Sequence, residues 1–139
     1  MKEQLQIRNW SDILPDVDIA IVDKLSRNVK VVISCKTSLR ERLTETAFWK
    51  LLTQSREKID VKFILITTNK DKELEIDTNR YIIQHVLDCT FITDPEKYKD
   101  LINTYKIKYG EKEDFGIIYS KVKPIAELRE FLRDLLKPQ

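Results

Sequence analysis

The stretch that decides the fold is residues 15–45, which read PDVDIAIVDKLSRNVKVVISCKTSLRERLTE. It contains two apolar runs rich in Val and Ile, from Val17 to Val22 and from Val29 to Ile33. A polar connection of hairpin length separates them. Short runs of branched residues that are bounded by polar turns are typical of β-strands. The stretch therefore predicts a two-stranded antiparallel hairpin.

Polar side chains lie at the open end of this predicted hairpin, where the first strand begins and the second ends. Because side chains alternate along a strand, Asp16 and Asp18 share one face of the first strand. Ser34 and Lys36 share one face of the second strand in the same way. The turn length then sets Asp16 roughly opposite Lys36, and it sets Asp18 roughly opposite Ser34. The same alternation turns Cys35 to the apolar side and predicts that it lies in the core.

This set of polar groups suits metal-assisted chemistry on a phosphate. One or two carboxylates can bind a hard divalent cation through oxygen. A nearby lysine can orient or deprotonate a water molecule and stabilise the charge that develops on a phosphate. Asp16, Asp18 and Lys36 are therefore candidate catalytic residues. For the two aspartates, a plain turn or strand-edge role is the alternative.

A helix is predicted over residues 39–57, where apolar residues recur every four positions at Leu39, Leu43, Ala47 and Leu51. Ser38 is its predicted N-cap, and Glu41, three residues later, is a capping-box partner. Arg40 and Arg42 lie near the helix start, where positive charge opposes the helix dipole. That unfavourable placement favours a role in contacting a phosphate or a base.

Two acids, Glu41 and Glu45, lie in the first two turns of this predicted helix. Counted from Leu39 at about 100° per residue, they fall near about 200° and about 240°. Phe48 and Leu52 fall in the same arc, so the acids are unlike an ordinary solvated pair. For Glu41, a capping role alone is one interpretation of this placement.

The rest of the chain alternates predicted strands and helices. Strands are predicted at residues 61–68, 89–93 and 115–119, and the first of these is apolar on both faces, as a covered central strand is. Helices are predicted at residues 79–87, at residues 95–109 and after Pro124, the last with an apolar stripe at Ile125, Leu128, Leu132, Leu135 and Leu136. This order predicts an α/β fold with a mixed central β-sheet flanked by helices.

The amino-acid composition excludes several classes of binding and catalytic site. The chain has 139 residues and a net charge of +2, which is typical of one domain and only mildly basic. Its two glycines cannot form a glycine-rich phosphate loop, and its one histidine, His85, excludes an HExxH zinc site. Two cysteines form neither a disulfide framework nor a zinc set, so a reduced, cytoplasmic location is expected. If the chain is an enzyme, carboxylates and lysines must carry the chemistry.

The arrangement resembles the PD-(D/E)XK nuclease superfamily, and in particular the type II restriction endonucleases. The residues that carry the resemblance are Pro15-Asp16, Ser34-Cys35-Lys36 and the following segment from Thr37 to Arg42. In that superfamily an Asp begins one strand, the (D/E)xK motif ends the next, and a helix and a buried strand follow. The likeness spans about residues 12–93 and implies a restriction-endonuclease-like fold.

One position departs from the superfamily pattern, because Ser34 stands where the second acid is usual. A subset of restriction enzymes has SxK and takes the acid from the following helix. The residue at the corresponding distance here is Trp49, which cannot bind a metal. Glu45, one turn earlier, is therefore the predicted relocated acid, and Glu41 is the second choice.

The resemblance implies a Mg²⁺-dependent DNA endonuclease, with residues 1–139 as a single nuclease-like catalytic domain. The implied catalytic residues are Asp16, Asp18, Lys36, Glu45 and Glu41. The implied metal ligands are Asp16, Asp18 and Glu45, and the implied DNA-binding residues are Arg40, Arg42 and Ser38. The implied partner is double-stranded DNA. A double-strand cut needs two active sites, so a homodimer or a partner subunit is also expected.

Two other functions stay open. One is a DNA repair or junction-resolving nuclease on the same fold. The other is a catalytically silent DNA-binding module, which Ser34 in the acid position would favour. A set of interspersed tyrosines and lysines could contact a DNA backbone, or it could belong to a charged helix with aromatic packing: Tyr98, Tyr105, Tyr109 and Tyr119 with Lys97, Lys99, Lys106 and Lys108.

Overall fold

The computed structural model describes residues 18–37, 47, 50, 51 and 61–137. Within these ranges, five strands form one sheet in the order β1-β2-β3-β4-β5. The strands are β1 (Ile19–Val22), β2 (Val29–Lys36), β3 (Lys62–Thr67), β4 (Cys89–Ile92) and β5 (Val122–Pro124). β1 is antiparallel to β2, and the pairs β2–β3, β3–β4 and β4–β5 are parallel. The predicted mixed sheet is thus confirmed, with the run at residues 61–68 as its central strand.

Helices connect and cover the strands. They are α1 (Asp77–His85), α2 (Pro95–Tyr109), α3 (Ile118–Lys121) and α4 (Leu128–Leu135). The Asp94 carboxylate caps α2 by accepting hydrogen bonds from the backbone N–H groups of Glu96 and Lys97, and Pro95 stands in the first turn. These local signals explain why α2 has the bounds that the sequence predicts. Ala47, Lys50 and Leu51 are also helical, within the helix predicted over residues 39–57.

The core has two layers, one on each face of the sheet. One face presents Val32, Phe63 and Leu65 to residues of α1 and α2, including Ile83, Leu101 and Tyr105. The other face presents Val31, Ile33, Ile64 and Phe91 to α4. Alternation along each strand sends neighbouring residues to opposite layers, which is why continuous apolar runs fill both. The predicted apolar stripe from Ile125 to Leu135 is partly buried against this layer, and Leu136 at its end is 42% exposed.

The predicted strand at residues 115–119 is wrong. Phe115–Ile117 form a 3-10 turn that leads directly into α3, and the last strand is instead Val122–Pro124. Local backbone hydrogen bonds give the reason, because the Phe115 N–H donates to the Lys112 carbonyl at 3.1 Å and the Ile117 N–H donates to the Asp114 carbonyl at 3.2 Å, and such i to i+3 bonds close helical turns. β5 is an edge strand, so Pro124 can end it without leaving a ladder hydrogen bond unmade.

Candidate active site

The hairpin places an aspartate and a lysine side by side at the open end of β1 and β2. β1 pairs with β2 through Ile19 and Ile33, and one further step of this register sets Asp18 opposite Ser34, as the sequence predicts. The Lys36 ammonium nitrogen lies 3.8 Å from Oδ2 of Asp18. The side chain of Asp18 is 43% exposed and that of Lys36 only 15%. The carboxylate therefore faces solvent, while the lysine stem is packed in the fold.

The backbone of β2 fixes the Asp18 carboxylate. The Asp18 amide N–H donates to the Ile33 carbonyl at 3.1 Å, which holds the residue in the hairpin ladder. The Cys35 N–H donates to Oδ2 of Asp18 at 2.7 Å, a short bond to a charged acceptor. No hydrogen bond from a described residue reaches Oδ1. One oxygen of the carboxylate is thus anchored and next to Lys36, and the other is available to a ligand.

The donor chemistry of this site fits a hard divalent cation, and the described residues supply one carboxylate to it. Mg²⁺ keeps several of its waters and is commonly held by one or two carboxylates together with substrate phosphates. Asp18 provides such an oxygen, and the neighbouring Ser34 is 3% exposed and uncharged. In the part of the chain that the structure describes, no cluster of three His, Cys, Asp or Glu side chains could hold a metal ion.

Six of the candidate site residues lie outside the described residues: Asp16, Ser38, Arg40, Glu41, Arg42 and Glu45. The described residues on either side of residues 38–46 bound this segment. Thr37 follows β2 at the carboxyl edge of the parallel strands. Lys50 pairs at 2.9 Å with Asp88, which directly precedes β4 at the opposite edge.

Sequence reasoning missed this Lys50–Asp88 pair. The side chain of Lys50 is only 8% exposed, and the Asp88 carboxylate also accepts the Phe63 N–H at 2.7 Å. The pair therefore ties the segment after β2 to the amino ends of β3 and β4. Asp88, a polar residue between α1 and β4, gives no local sign of this ion pair in the sequence, because the pair joins residues far apart in the chain.

The prediction that Cys35 lies in the core is wrong, since the residue is exposed. Its face of β2 is covered by α4 at Val31 and Ile33, and Cys35 lies beyond the end of that cover. Partial burial, and then the negative charge of Asp18, still raise the pKa of the thiol above its ordinary value, and Lys36 opposes them. Cys35 thus contributes its backbone N–H to the site and is not activated as a thiolate.

A cavity of about 630 Å³ opens at the carboxyl edge of β2, β3 and β4, beginning one residue after Lys36. Its lining consists of residues that directly follow the three strands or begin α2: Thr37, Thr68, Lys70, Thr93, Asp94 and Lys97. Ligands of parallel α/β sheets bind outside the carboxyl ends of the strands. This rule could have located the cavity from the sequence, because each of the three predicted strands ends in a polar segment that contains threonine.

Other candidate residues have structural roles in this fold. Tyr105 is fully buried and Tyr109 nearly so, which supports aromatic packing for these two positions of α2. His85 stacks on Tyr81, and its Nε2 lies 3.2 Å from Oδ2 of Asp114. Partial burial acts to raise the pKa of Asp114, but the hydrogen bond with His85 and the charge of Arg80 outweigh it and lower the pKa overall.

Comparisons with known proteins agree with this geometry. The structure resembles one titled "Restriction endonuclease PspGI-substrate DNA complex", with a TM-score of 0.60 and 17% sequence identity, over 76% of this chain and 40% of that one. This likeness confirms the restriction-endonuclease-like α/β fold.

No helix within the described ranges is long and apolar enough to cross a membrane.

Two curated proteins are similar in sequence. A probable type II restriction enzyme of Helicobacter pylori, HpyAORF263P, is 38% identical over 63 residues, which are 45% of this chain and 33% of that enzyme. A putative type II restriction enzyme of Methanocaldococcus jannaschii, MjaVIP, is 39% identical over 64 residues, 44% of this chain and 28% of that enzyme. The chain thus spans about a third of the length of these relatives.

The profile of a protein family described as "BsaWI restriction endonuclease type 2" matches residues 1–122. The matched range includes the hairpin, the segment after it, the strands up to β4 and the first residue of β5. The chain therefore belongs to the BsaWI family of type II restriction endonucleases.

Proposed function

We propose that this chain is the catalytic domain of a Mg²⁺-dependent type II restriction endonuclease, which hydrolyses phosphodiester bonds of double-stranded DNA. The observation that carries the proposal is the Asp18–Lys36 pair, at 3.8 Å, on the hairpin of a chain with this family membership. Duplex DNA is the substrate that the family name implies, and a cytoplasmic location follows from such a substrate.

The roles of the described residues follow from their surroundings. Asp18 is held by the Cys35 N–H, so its free oxygen has a fixed position from which to bind a cation. Lys36 has a mostly buried stem and an ammonium group beside that carboxylate, so it orients the attacking water and stabilises charge on the phosphate. A bound Mg²⁺ would neutralise charge on the phosphate oxygens.

A single aspartate is a weak magnesium site, so a second carboxylate is part of the proposal. Glu45 is the first choice and Glu41 the second, with Asp16 as a further ligand from the strand end. Thr37, the last described residue before residues 38–46, follows Lys36 directly at the carboxyl edge, which supports the choice of Glu41 and Glu45 as ligands at this site. The same argument supports Ser38, Arg40 and Arg42 as DNA contacts.

Cleavage of mixed plasmid and phage DNA with Mg²⁺ and with EDTA tests the proposal. We expect discrete fragments with Mg²⁺ and none in chelator, because the described residues provide no His or Cys set for zinc chemistry. Cleavage that continues in chelator would contradict the mechanism.

The buried Ser34 favours a second candidate function, a catalytically silent DNA-binding module, because it leaves the usual acid position uncharged. Such a module would bind duplex DNA but would yield no fragments at any Mg²⁺ concentration. A repair or junction-resolving nuclease of the same fold would instead cut branched DNA without a fixed sequence.

A further inference from the structure

We propose that Lys70 and Lys97 form a phosphate-binding subsite for the DNA backbone, next to the Asp18–Lys36 pair. The inference rests on the proposed function and names the part of this chain that would hold the duplex there. Both lysines line the cavity of about 630 Å³ at the carboxyl edge of the sheet. Thr37, the residue after Lys36, lines the same cavity, so the subsite and the candidate active site adjoin.

The strand register brings the cavity and the site together. Lys36 pairs with Thr67, and Thr67 pairs with Ile92, so the three parallel strands end side by side. The next residues along these strands are Thr37, Thr68 and Thr93, which line the cavity side by side, with the Thr68 hydroxyl donating to the Thr37 carbonyl at 3.3 Å. Hydroxyl groups and lysines are common donors to DNA phosphates.

The charges of the cavity favour an anion. In the described part of the chain, no carboxylate pairs with Lys70 or Lys97. Asp94 also lines the cavity, but its carboxylate accepts the N–H groups of Glu96 at 2.9 Å and Lys97 at 3.4 Å. That capping role holds the aspartate at the end of α2, and the charged residues of the lining, two lysines and one aspartate, give the cavity a net positive charge.

The positions of both lysines are fixed by their backbone surroundings. Lys97 stands in the first turn of α2, where a positive charge is unfavourable for the helix, and it is half-buried. Lys70 follows Asn69, which is 2% exposed and has a positive φ of 57°. Asn69 is held in this conformation by its N–H bond to Thr67 and by the Leu74 N–H bond to its side chain. The loop that carries Lys70 is therefore held in a defined conformation, although the lysine side chain itself is exposed.

Salt-dependent DNA binding tests the subsite. The variant is Lys70→Gln with Lys97→Gln, which removes two charges and keeps side-chain length. The control is Lys24→Gln with Lys112→Gln, which removes the same charge from the β1–β2 turn and from the α2–α3 connection, both at the opposite edge of the sheet. Affinity for a labelled mixed-sequence duplex is measured in EDTA over a series of salt concentrations, and circular dichroism checks the fold of each variant.

We expect the Lys70/Lys97 variant to bind about tenfold more weakly at low salt. The slope of log affinity against log salt should fall by about 0.9 for each lost phosphate contact, or about 1.8 for two. The control should keep the wild-type slope. In single-turnover cleavage with Mg²⁺, the variant should need more protein for half-maximal rate but reach nearly the same maximal rate.

Two failures are distinguishable. If the wild type binds and cuts DNA but both double variants lose affinity equally, or neither does, the subsite is refuted and the proposed function stands. If the wild type neither binds the duplex nor cuts DNA with Mg²⁺, the proposed function itself fails and the subsite fails with it.

Discussion

Lys36 is the residue on which the proposed chemistry depends most. Its side chain is 15% exposed, so substitution by alanine would also leave a gap, whereas Lys36→Met keeps most of the packing. We expect Lys36→Met to lower the single-turnover cleavage rate at least about a hundredfold, about 2.7 kcal/mol of barrier. The thermal midpoint should change little. A variant that retains more than about a tenth of the rate would remove Lys36 from the reaction.

Asp18 and Asp23 form a matched pair of aspartates at opposite ends of the same hairpin. Asp18→Asn keeps an acceptor for the Cys35 N–H but removes the charge that a cation needs. We expect it to raise the Mg²⁺ concentration for half-maximal cleavage at least about tenfold and to lower the maximal rate. Asp23 accepts the N–H groups of Leu25 and Ser26 in the turn, so Asp23→Asn should leave the Mg²⁺ dependence unchanged. Equal effects of the two variants would argue against a cation at Asp18.

At the scale of elements, the Lys50–Asp88 pair is expected to hold the segment after β2 against the sheet. Asp88→Asn would leave the Lys50 ammonium, 8% exposed, without its partner. Removal of one member of a buried ion pair costs about 3 kcal/mol or more. We expect urea unfolding to show such a loss for Asp88→Asn, and little change for Glu111→Gln in an exposed loop. Lys50→Met in the Asp88→Asn background should restore most of the stability, and a double variant as weak as the single one would show that Lys50 is not the cause.

The elements that the sequence predicts well are those with local signals. α2 has an aspartate cap, a proline in its first turn and apolar residues at helical spacing, and its predicted bounds hold. β2 and β3 are long apolar runs, and their alternation also predicts the Asp18 register. β5 has no such signal, because the sequence Val-Lys-Pro becomes a strand only through its pairing with β4. The apolar run at residues 115–119 was a stronger local strand signal, but it forms helical turns.

The features of the candidate site also fall into those that the local sequence predicts and those that depend on the fold. The proximity of Asp18 to Lys36 follows from strand alternation and turn length, which are local properties. Exposure of Cys35 depends on where α4 stops covering the sheet, and the Lys70 and Lys97 cavity depends on where two separate loops meet. Neither is encoded in a short stretch of sequence, so both needed the fold.

At the scale of the whole molecule, one edge of the sheet collects the functional groups. Asp18, Lys36 and the cavity all lie at the carboxyl end of β2, while the β1–β2 turn and the Lys50–Asp88 pair lie at the other end. This polarity separates the groups proposed to contact substrate from those that hold the fold. One such edge carries one candidate active site, which under the proposed function would hydrolyse one phosphodiester bond at a time.

We therefore predict that two copies act together to cut both strands of a duplex. A subunit-mixing experiment tests this prediction. Under the proposed function, wild-type protein should linearise a suitable closed plasmid, and Lys36→Met, with its packing retained, should still bind DNA and join the assembly. Preincubation of the wild type with excess Lys36→Met should give mixed pairs with one working site, so nicked circles should accumulate at the expense of linear DNA. A Lys36→Met sample without wild type controls for nicking by the variant. If mixtures give linear product in proportion to the wild type present and no excess of nicked circles, each copy cuts both strands alone, and the dimer is not needed.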